Sequence, residues 1–335
     1  MQGNGRHGER VVITGASAGV GRATAREFAR RGARVTLVAR GRDGLEAART
    51  EVEALGGEAI IAEADIAIPE EVEAAARAAE EAFGGIDTWI NNAMVSVFSP
   101  VHEMTPSDYA RVMEVTYLGT VYGTLAALRR MRPRREGTIV FVGSVLSDRG
   151  IPLQSAYCGA KHAIDGFFDS LRSELFHDRA GIRTTMVRLP AVNTPQFSWV
   201  KSRLPKEPQP VPPIFQPEVA ARAIYWAAHH DRRSITVGGQ ASVIFWGNKF
   251  LPGLGDRYLA RTGYSSQQTD QPRDPERANN LYAPLPGDAG AHGTFGHRAH
   301  ARSIQLTLNT HRGITALVLA ALGVAAGAAL SRLRD

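Results

Sequence analysis

The sequence has a single cysteine, Cys158, among its 335 residues. A lone cysteine excludes an internal disulfide framework and a cysteine-rich metal site. Residues 1–9 are polar and rich in glycine, and they contain no apolar run. We therefore expect no signal peptide and a main domain that stays in the cytoplasm.

The sequence also lacks a large excess of either charge, since its formal net charge is +6. A nucleotide-phosphate site or ordinary solubility explains such an excess as well as a polyanionic partner does. We therefore expect no nucleic-acid partner. Three histidines, His292, His297 and His300, lie in a polar C-terminal stretch, where a solvated loop is a simpler explanation than a metal. We predict no metal site.

The first apolar run is β-branched and extends from Val11 to Ile13. A glycine-rich turn and an Ala/Arg-rich helical pattern follow it. A strand, a glycine-rich turn and a helix in this order present backbone N–H groups and a helix N-terminus to a pyrophosphate. The candidate phosphate-binding residues are Gly15, Ser17, Ala18, Gly19, Val20 and Gly21.

A second strand, 34–39, ends at Arg40, and Arg42 lies close by. Asp or Glu usually meets a free ribose 2′-hydroxyl at this point, whereas arginine meets a 2′-phosphate. The pattern predicts NADP(H) as the cofactor. Two arginines on a surface loop are the alternative interpretation.

Strand and helix patterns then alternate along the chain to about residue 240. Seven predicted strands indicate an α/β domain over residues 9–240, a Rossmann-type doubly wound parallel sheet with helices on both faces. Asp65, Ile66, Asn92 and Ala93 follow two of these strands, at the edge where such sheets bind ligands. Asp65 could instead cap a helix, and the asparagine could instead satisfy backbone groups.

Ser144 follows the fifth predicted strand, and Tyr157 and Lys161 lie one turn apart on the next helix. A phenol has a pKa of about 10, so it exchanges protons poorly at neutral pH unless a nearby cation favours its phenolate. Lys161 can supply that cation, and the Ser144 hydroxyl can hold the reacting oxygen. The Tyr-x-x-x-Lys spacing alone also arises by chance, so its context decides the interpretation.

These motifs occur in the order found in the short-chain dehydrogenase/reductase family, which residues of about 9 to 240 resemble. They are Thr14-Gly15-x-x-x-Gly19-x-Gly21, Asn91-Asn92-Ala93, Ser144, Tyr157-x-x-x-Lys161 and Pro190-x-Val192-x-Thr194. The resemblance implies that Tyr157 is the catalytic acid/base and that Ser144 positions the substrate carbonyl. It also implies that Lys161 binds the nicotinamide ribose and that Val192 and Thr194 contact the nicotinamide.

The sequence departs from the family at three positions. Thr116 stands where an asparagine usually holds a water for proton relay, and we expect it to give an altered or slower relay. Met94 and Ala191 replace glycines in loops, which affects local geometry and not the chemistry.

Residues 195–216, here termed the lid, are rich in proline and bulky apolar groups. In the resembled family this segment covers the substrate, so its composition favours an apolar carbonyl compound. A proline-stiffened surface loop is an equal alternative.

The chain continues beyond the region that resembles the family. We expect an extension packed on the core over 241–264, a flexible linker over 265–310 and an apolar helix over 311–332. Residues 313–330 carry no charge and are marginally long enough to cross a thin bilayer. A C-terminal membrane anchor and a helix buried in protein both fit this stretch.

The leading hypothesis is therefore an NADP(H)-dependent oxidoreductase that interconverts a carbonyl compound and an alcohol, with Tyr157 as acid/base. A nucleotide-sensing binding protein with little turnover is the alternative, which only Thr116 favours. An epimerase or dehydratase, which leaves the cofactor without net change, is a third hypothesis. The resemblance also implies a homodimer or homotetramer, formed through the helices near 107–131 and 153–177.

Overall fold

The protein, described here from a computed structural model that covers residues 8–239, 247–311 and 313, is organised around a seven-stranded parallel sheet. The sheet strands are β1 Arg10–Thr14, β2 Arg34–Ala39, β3 Glu58–Glu63, β4 Thr88–Asn91, β6 Gly137–Ser144, β7 Ile182–Leu189 and β12 Ser234–Thr236. The short strands elsewhere are β5 Val97–Phe98, β8 Ala191–Val192, β9 Lys201–Ser202, β10 Lys206–Pro208, β11 Ile214–Phe215, β13 Gln268–Pro272 and β14 Ala299–His300.

The strand order in the large sheet is β12-β7-β6-β4-β1-β2-β3. The chain therefore builds outward from β1 to β2 and β3 on one side, and then crosses over to β4, β6, β7 and β12 on the other. The carboxyl ends of β1 and β4 flank the point where the direction of winding changes. Open α/β sheets bind their ligands in the crevice at this point. The predicted doubly wound parallel sheet is confirmed.

Helices cover both faces of the sheet. They are α1 Gly19–Ala29, α2 Arg42–Ala54, α3 Pro69–Phe83, α4 Pro106–Val112, α5 Gly119–Met131, α6 Ser155–His177, α7 Gln196–Trp199, α8 Pro217–His229, α9 Pro252–Thr262 and α10 Ile304–Thr310. On one face, α1, α2 and α8 form an apolar core in which the rings of Phe28 and Tyr225 lie 5.0 Å apart. On the other face, α3, α5 and α6 enclose Phe141 and Phe168. Two buried cores, one on each face, therefore hold the sheet in place.

The single helix expected near 107–131 is divided in the structure. A π-helical segment, Met113–Leu118, separates α4 from α5. Such segments insert an extra residue into a helix and occur frequently beside functional sites. The amphipathic pattern could not show this change of period, because the residues on both sides of the segment keep a buried face.

The predicted linker is packed against the domain. Strand β13 pairs with β10, and β14 joins β11 and β8 in a small parallel sheet. Leu281 and Ala291 are fully buried, and Leu306 in α10 enters the core formed by α1, α2 and α8. The polar composition concealed these contacts because most of them use backbone groups, so the linker assignment is corrected to a packed segment.

The predicted C-terminal apolar helix, 311–332, lies outside the described residues except for residues 311 and 313. Within the part of the chain that the structure describes, no helix combines the length and the apolar character needed to cross a membrane.

Candidate active site

A cavity of about 900 Å³ opens at the carboxyl edge of the sheet, where β1 and β4 diverge. This volume lies in the usual range of ligand sites. The cavity brings together these predicted site residues: Gly15, Ser17, Ala18, Gly19, Val20, Arg40, Asp65, Ile66, Asn92, Ala93, Ser144, Tyr157, Lys161, Val192 and Thr194. Two other predicted residues, Gly21 and Thr116, do not line it.

The glycine-rich turn between β1 and α1 depends on residues without a Cβ atom. Gly15 has a φ of +69°, which side chains rarely permit. A Cβ on Gly21 would lie 2.1 Å from the Gly15 carbonyl oxygen. Gly21 thus brings α1 close to the turn, although it does not face the cavity. Helix α1 has no side-chain cap at its N-terminus, and its first N–H, that of Gly19, donates to the Gly290 carbonyl at 3.1 Å. An anion would therefore meet the N–H groups that follow Gly19 in the first turn.

Thr14 and Asn92 join the ends of β1 and β4. The Thr14 hydroxyl accepts hydrogen bonds from the backbone N–H groups of Asn92 and Ala93, at 2.9 and 3.1 Å. The Asn92 amide donates to the Thr14 carbonyl at 2.9 Å. Asn91 points away, because its side chain bonds Trp89 and Thr124. Asn92 and Ala93 therefore form a rigid floor of the cavity.

Ser144, Tyr157 and Lys161 converge on the same cavity from β6 and α6. Ser144 ends β6 and is 6% exposed, and Tyr157 lies in the first turn of α6. The Lys161 ammonium donates to the Val142 carbonyl at 2.7 Å and lies 5.6 Å from the centroid of the Tyr157 ring. The helix spacing thus places the phenol and the ammonium as predicted, with the serine beside them.

Burial is the main influence on the pKa values of Tyr157 and Lys161. It raises the pKa of Tyr157 above its usual value, and a hydrogen bond with Ser144 opposes the rise only in part. Burial also lowers the pKa of Lys161 to about 8, against the opposing influence of Asp165. The raised phenol pKa differs from the lowered value that the Tyr-x-x-x-Lys spacing predicts, because the loss of solvation is the largest influence on the phenol. Tyr157 is therefore protonated at neutral pH and is suited to donate a proton.

Thr116 does not reach the cavity. It is fully buried in the π-helical segment, where its hydroxyl donates to the Val95 carbonyl at 3.1 Å and accepts from the Val95 N–H at 3.2 Å. Its single hydroxyl proton is thus committed to the backbone. This geometry supports a structural contact between the π-helical segment and the loop after β4. The predicted water relay stays a prediction.

Arg40 lines the cavity beyond β2, whereas Arg42 is exposed and pairs with Glu46 and Glu63. The Arg40 guanidinium donates to the carbonyls of Asn280 and Leu281, at 2.5 and 3.3 Å. Of the two arginines considered for a 2′-phosphate, only Arg40 therefore faces the site.

Asp65 lies on the same side of the cavity as Arg40. Its carboxylate accepts from the N–H of Ala67 at 3.0 Å and pairs with Arg111. It does not cap α3, whose N-cap is Ile68. The neighbouring Ile66 packs against Gly119, where a Cβ would lie 2.5 Å from an Ile66 methyl group. Asp65 and Ile66 thus form a fixed wall beyond β3.

The other half of the cavity is apolar and is built by the lid and α9. Phe197 and Val200 pack with Phe98, Leu153 and Leu204 in a small core of their own. Further cavity residues from these segments are Trp199, Pro210, Val211, Pro212, Pro213, Leu251, Leu254, Tyr258 and Leu259. This composition supports an apolar ligand on this side.

Sequence reasoning missed the residue that holds the lid. Asp108 is fully buried and pairs with Lys201 at 2.8 Å and Arg203 at 2.5 Å. Burial alone would raise the pKa of Asp108, but hydrogen bonds from Lys201, Arg203 and Thr105 lower it to about 2. Asp108 also forms a capping box with Thr105 at the start of α4. Nothing in this local spacing indicates the two lid cations.

Comparison with known proteins agrees with this geometry. The short chain dehydrogenase profile matches residues 9–203. The oxidoreductase YxnA of Bacillus subtilis (strain 168) is 36% identical over 327 residues, which cover 97% of this chain and 91% of YxnA. A 3-dehydrosphinganine reductase of Danio rerio is 32% identical over 229 residues, or 66% of this chain and 68% of the relative. Dehydrogenase/reductase SDR family member 7B of Bos taurus is 37% identical over 171 residues, covering 49% and 53% of the two chains. The chain therefore belongs to the short chain dehydrogenase family of oxidoreductases.

Proposed function

We propose that this chain is an NADP(H)-dependent oxidoreductase that interconverts a carbonyl compound and a primary or secondary alcohol. The observation that carries the proposal is one cavity that holds Ser144, Tyr157 and Lys161 together with the glycine-rich turn and Arg40. When bound, the nicotinamide supplies or takes up a hydride. The residues of the chain bind and orient the reactants and move the proton.

In the reductive direction, Tyr157 donates its phenolic proton to the substrate oxygen. Ser144 holds that oxygen beside the phenol, since it ends β6 and lines the same cavity as Tyr157. The Lys161 ammonium stabilises the phenolate that remains, and it would contact the nicotinamide ribose when the cofactor is bound. Each role uses a group that lines the cavity.

The residues present fit a dinucleotide that carries a 2′-phosphate. The uncapped N-terminus of α1 suits the pyrophosphate, and Arg40 suits the 2′-phosphate. Asp65, Ile66, Asn92 and Ala93 line the cavity and would hold the adenosine part of the cofactor. Val192 and Thr194 also line it and would contact the nicotinamide end. NADP(H) is the cofactor that this set supports best.

The substrate side supports an apolar carbonyl compound. The lid and α9 contribute mostly aromatic, proline and leucine side chains to the cavity. One similar protein is named for the reduction of 3-dehydrosphinganine. A substrate panel should therefore include that ketone beside aldehydes and ketones of increasing chain length.

The experiment that tests the proposal follows NADPH oxidation by the full chain against this panel. Tyr157→Phe removes the proton donor and keeps the ring, so turnover should disappear while NADPH binding persists. Ser144→Ala should also suppress turnover. Turnover that is unchanged in both variants would remove these residues from the chemistry.

Thr116 favours one alternative, a nucleotide-sensing protein with little turnover, because its hydroxyl is bound to Val95 and does not face the cavity. NADPH binding without reduction of any carbonyl in the panel supports this alternative. Thr116→Asn would then be the variant to compare with the parent chain.

We also expect a homodimer or homotetramer that uses α5 and α6. Leu125 in α5 is 44% exposed, and Phe176 in α6 is 67% exposed. Burial of these apolar side chains against a second copy would remove them from water. Light scattering of the purified chain measures the assembly directly.

A further inference from the structure

Residues 279–290, here termed the clasp, lie across the cofactor side of the cavity. Asn280, Pro284, Leu285, Gly287 and Ala289 line the same cavity as the glycine-rich turn and Arg40. The clasp is thus a wall of the site that comes from far along the chain, outside residues 9–203 that match the family profile.

The clasp determines where the Arg40 guanidinium points. Two successive carbonyls, of Asn280 and Leu281, accept its hydrogen bonds. The Leu281 carbonyl also accepts from Arg111 at 3.1 Å. A carbonyl orients a guanidinium but does not neutralise it. Among the described residues, no carboxylate forms an ion pair with Arg40, so its positive charge remains available to an anion in the cavity.

Arg40 is also partly removed from water, and this increases the effect of a bound anion. Burial lowers the pKa of Arg40, and the nearby Arg111 adds to the reduction while Asp65 opposes it. A desolvated cation gains more from a phosphate than an exposed one does. The 2′-phosphate distinguishes NADP(H) from NAD(H), so the orientation of Arg40 bears on cofactor preference.

The clasp is itself fixed at both ends. The Leu281 side chain is fully buried in the core that also contains Ala64 and Ile66. At the other end, the Asp288 carboxylate pairs with Arg22 at 2.7 Å. Arg22 is 2% exposed and also pairs with Glu51, which fixes it on α1.

Two further contacts use the backbone of the clasp. The N–H of Gly287 donates to the Asp43 carboxylate at 2.7 Å, and the carbonyl of Gly290 accepts from the N–H of Gly19 at 3.1 Å. The clasp therefore meets both the glycine-rich turn and α2. A change at either fixed end shifts the carbonyls that hold Arg40.

We propose that the clasp sets the preference for the 2′-phosphate by holding Arg40 in its cavity-facing position, with Leu281 and Asp288 as its positioning residues. This inference rests on the proposed NADP(H) function. Neither side chain touches the phosphate; each acts through the backbone that orients Arg40.

The test is a fluorescence titration of the full chain with NADPH and with NADH, without any carbonyl substrate. Leu281→Ala loosens one end of the clasp, and Asp288→Asn removes the charge that pairs with Arg22 at the other. We expect NADPH to bind about tenfold more weakly to the first variant and about threefold more weakly to the second. NADH affinity should change less than about twofold, because it lacks the phosphate.

Two controls match the chemistry of these substitutions. Leu306→Ala truncates a leucine of the same C-terminal region that is 6% exposed and does not line the cavity. Asp270→Asn removes an exposed carboxylate that pairs with Lys206. Both controls should keep the parent ratio of NADPH to NADH affinity. Because the Asp288 side chain is 40% exposed, its substitution tests the clasp even if Leu281→Ala fails to fold.

The outcomes separate the clasp from the proposed function. If the parent chain prefers NADPH and the clasp variants keep that preference, the proposed role of the clasp is wrong. The same holds if the variants bind NADPH and NADH more weakly by the same factor. A parent chain with no preference overturns the NADP(H) assignment and the clasp together. Competition by 2′,5′-ADP and by ADP makes the same comparison with the adenosine part of each cofactor. Only 2′,5′-ADP, which carries the 2′-phosphate, should bind the variants more weakly.

Discussion

The two halves of the cavity are built in different ways. On the cofactor side, every residue of β6 is buried and the glycine-rich turn has no space for a side chain at Gly21. On the substrate side, α9 has no buried residue, and its cavity-facing Leu254 is 57% exposed. The cofactor side therefore tolerates little change, whereas α9 can vary in sequence with little loss of stability. Under the proposed function, we expect the second half to determine specificity for the carbonyl compound.

The largest expected effect is the loss of kcat when the proton donor Tyr157 is removed from the cofactor side. Tyr157→Phe should lower kcat for carbonyl reduction by about a factor of 10³, within the range of general acid catalysis. Cofactor affinity should stay near that of the parent, because the ring remains. Steady-state kinetics and NADPH titration measure the two quantities. A variant that keeps more than about a tenth of kcat contradicts the assigned role.

The pH dependence of the reaction tests the lysine in the same half. Burial lowers the pKa of Lys161 to about 8, so its positive charge is lost as the pH rises through that value. Tyr157 keeps its proton there because burial raises its pKa. We expect kcat/KM for reduction to fall about tenfold per pH unit above about 8. A profile that is flat up to about pH 10 would show that the ammonium is not required.

A matched pair of glycine substitutions compares the two halves directly. Gly21→Ala places a Cβ 2.1 Å from the Gly15 carbonyl oxygen, so it should lower the free energy of unfolding by about 2 kcal/mol or more. Gly253→Ala in α9 meets no atom within 4 Å and should leave stability unchanged or slightly higher. Urea unfolding gives both values. Equal losses in the two variants would contradict the difference in packing.

Asp108 joins the start of α4 to the lid, on the substrate side of the cavity. Asp108→Asn should lower the free energy of unfolding by about 2 kcal/mol, since Lys201 and Arg203 lose their charged partner. The native pKa of about 2 lies below the unfolded value of about 3.9, so the stabilisation is present above about pH 4 and is lost as the pH falls toward about 2.

Unfolding measured across that acid range should therefore show a smaller decrease for Asp108→Asn than for the parent chain. Asp169→Asn, at an exposed pair with Arg233, is the control and should follow the parent. Identical acid dependence in Asp108→Asn and the parent would show that the lid pairs do not contribute.

The smallest effect on stability is expected in α9, which has no buried residue. Leu254→Ala should raise KM for an apolar ketone about threefold and change the free energy of unfolding by less than about 0.5 kcal/mol. Ile304→Ala, at another exposed apolar residue that does not line the cavity, should change neither quantity. Kinetics over a series of chain lengths would reveal a KM effect that grows with the substrate. If the ratio of the Leu254→Ala KM to the parent KM stays the same across the series, α9 does not contact the substrate.

The same division explains what the sequence could predict. The sheet and the convergence of Ser144, Tyr157 and Lys161 follow from local patterns, because a strand or a helix turn fixes the spacing of its side chains. The contacts of Arg40 with Asn280 and Leu281 have no such pattern. They use backbone carbonyls, which every residue possesses, so the polar composition of 265–310 pointed to a linker.

Two other features of the site depend on packing that the sequence pattern does not specify. The raised pKa of Tyr157 depends on how completely the surrounding chain excludes water, which the Tyr-x-x-x-Lys spacing does not specify. The position of Thr116 depends on the π-helical segment, which turns its hydroxyl toward Val95. Motifs identified both residues, but packing determined their environments.

The most direct test of the central claim follows the transferred hydrogen. The full chain would be incubated with an apolar ketone from the panel and NADPH deuterated at the transferable position of its nicotinamide ring. Mass spectrometry should find deuterium on the carbinol carbon of the alcohol product, and Tyr157→Phe should give little of that product. A product without deuterium, or conversion of the substrate with no net change in the cofactor, would contradict a carbonyl reductase and favour another reaction on this fold.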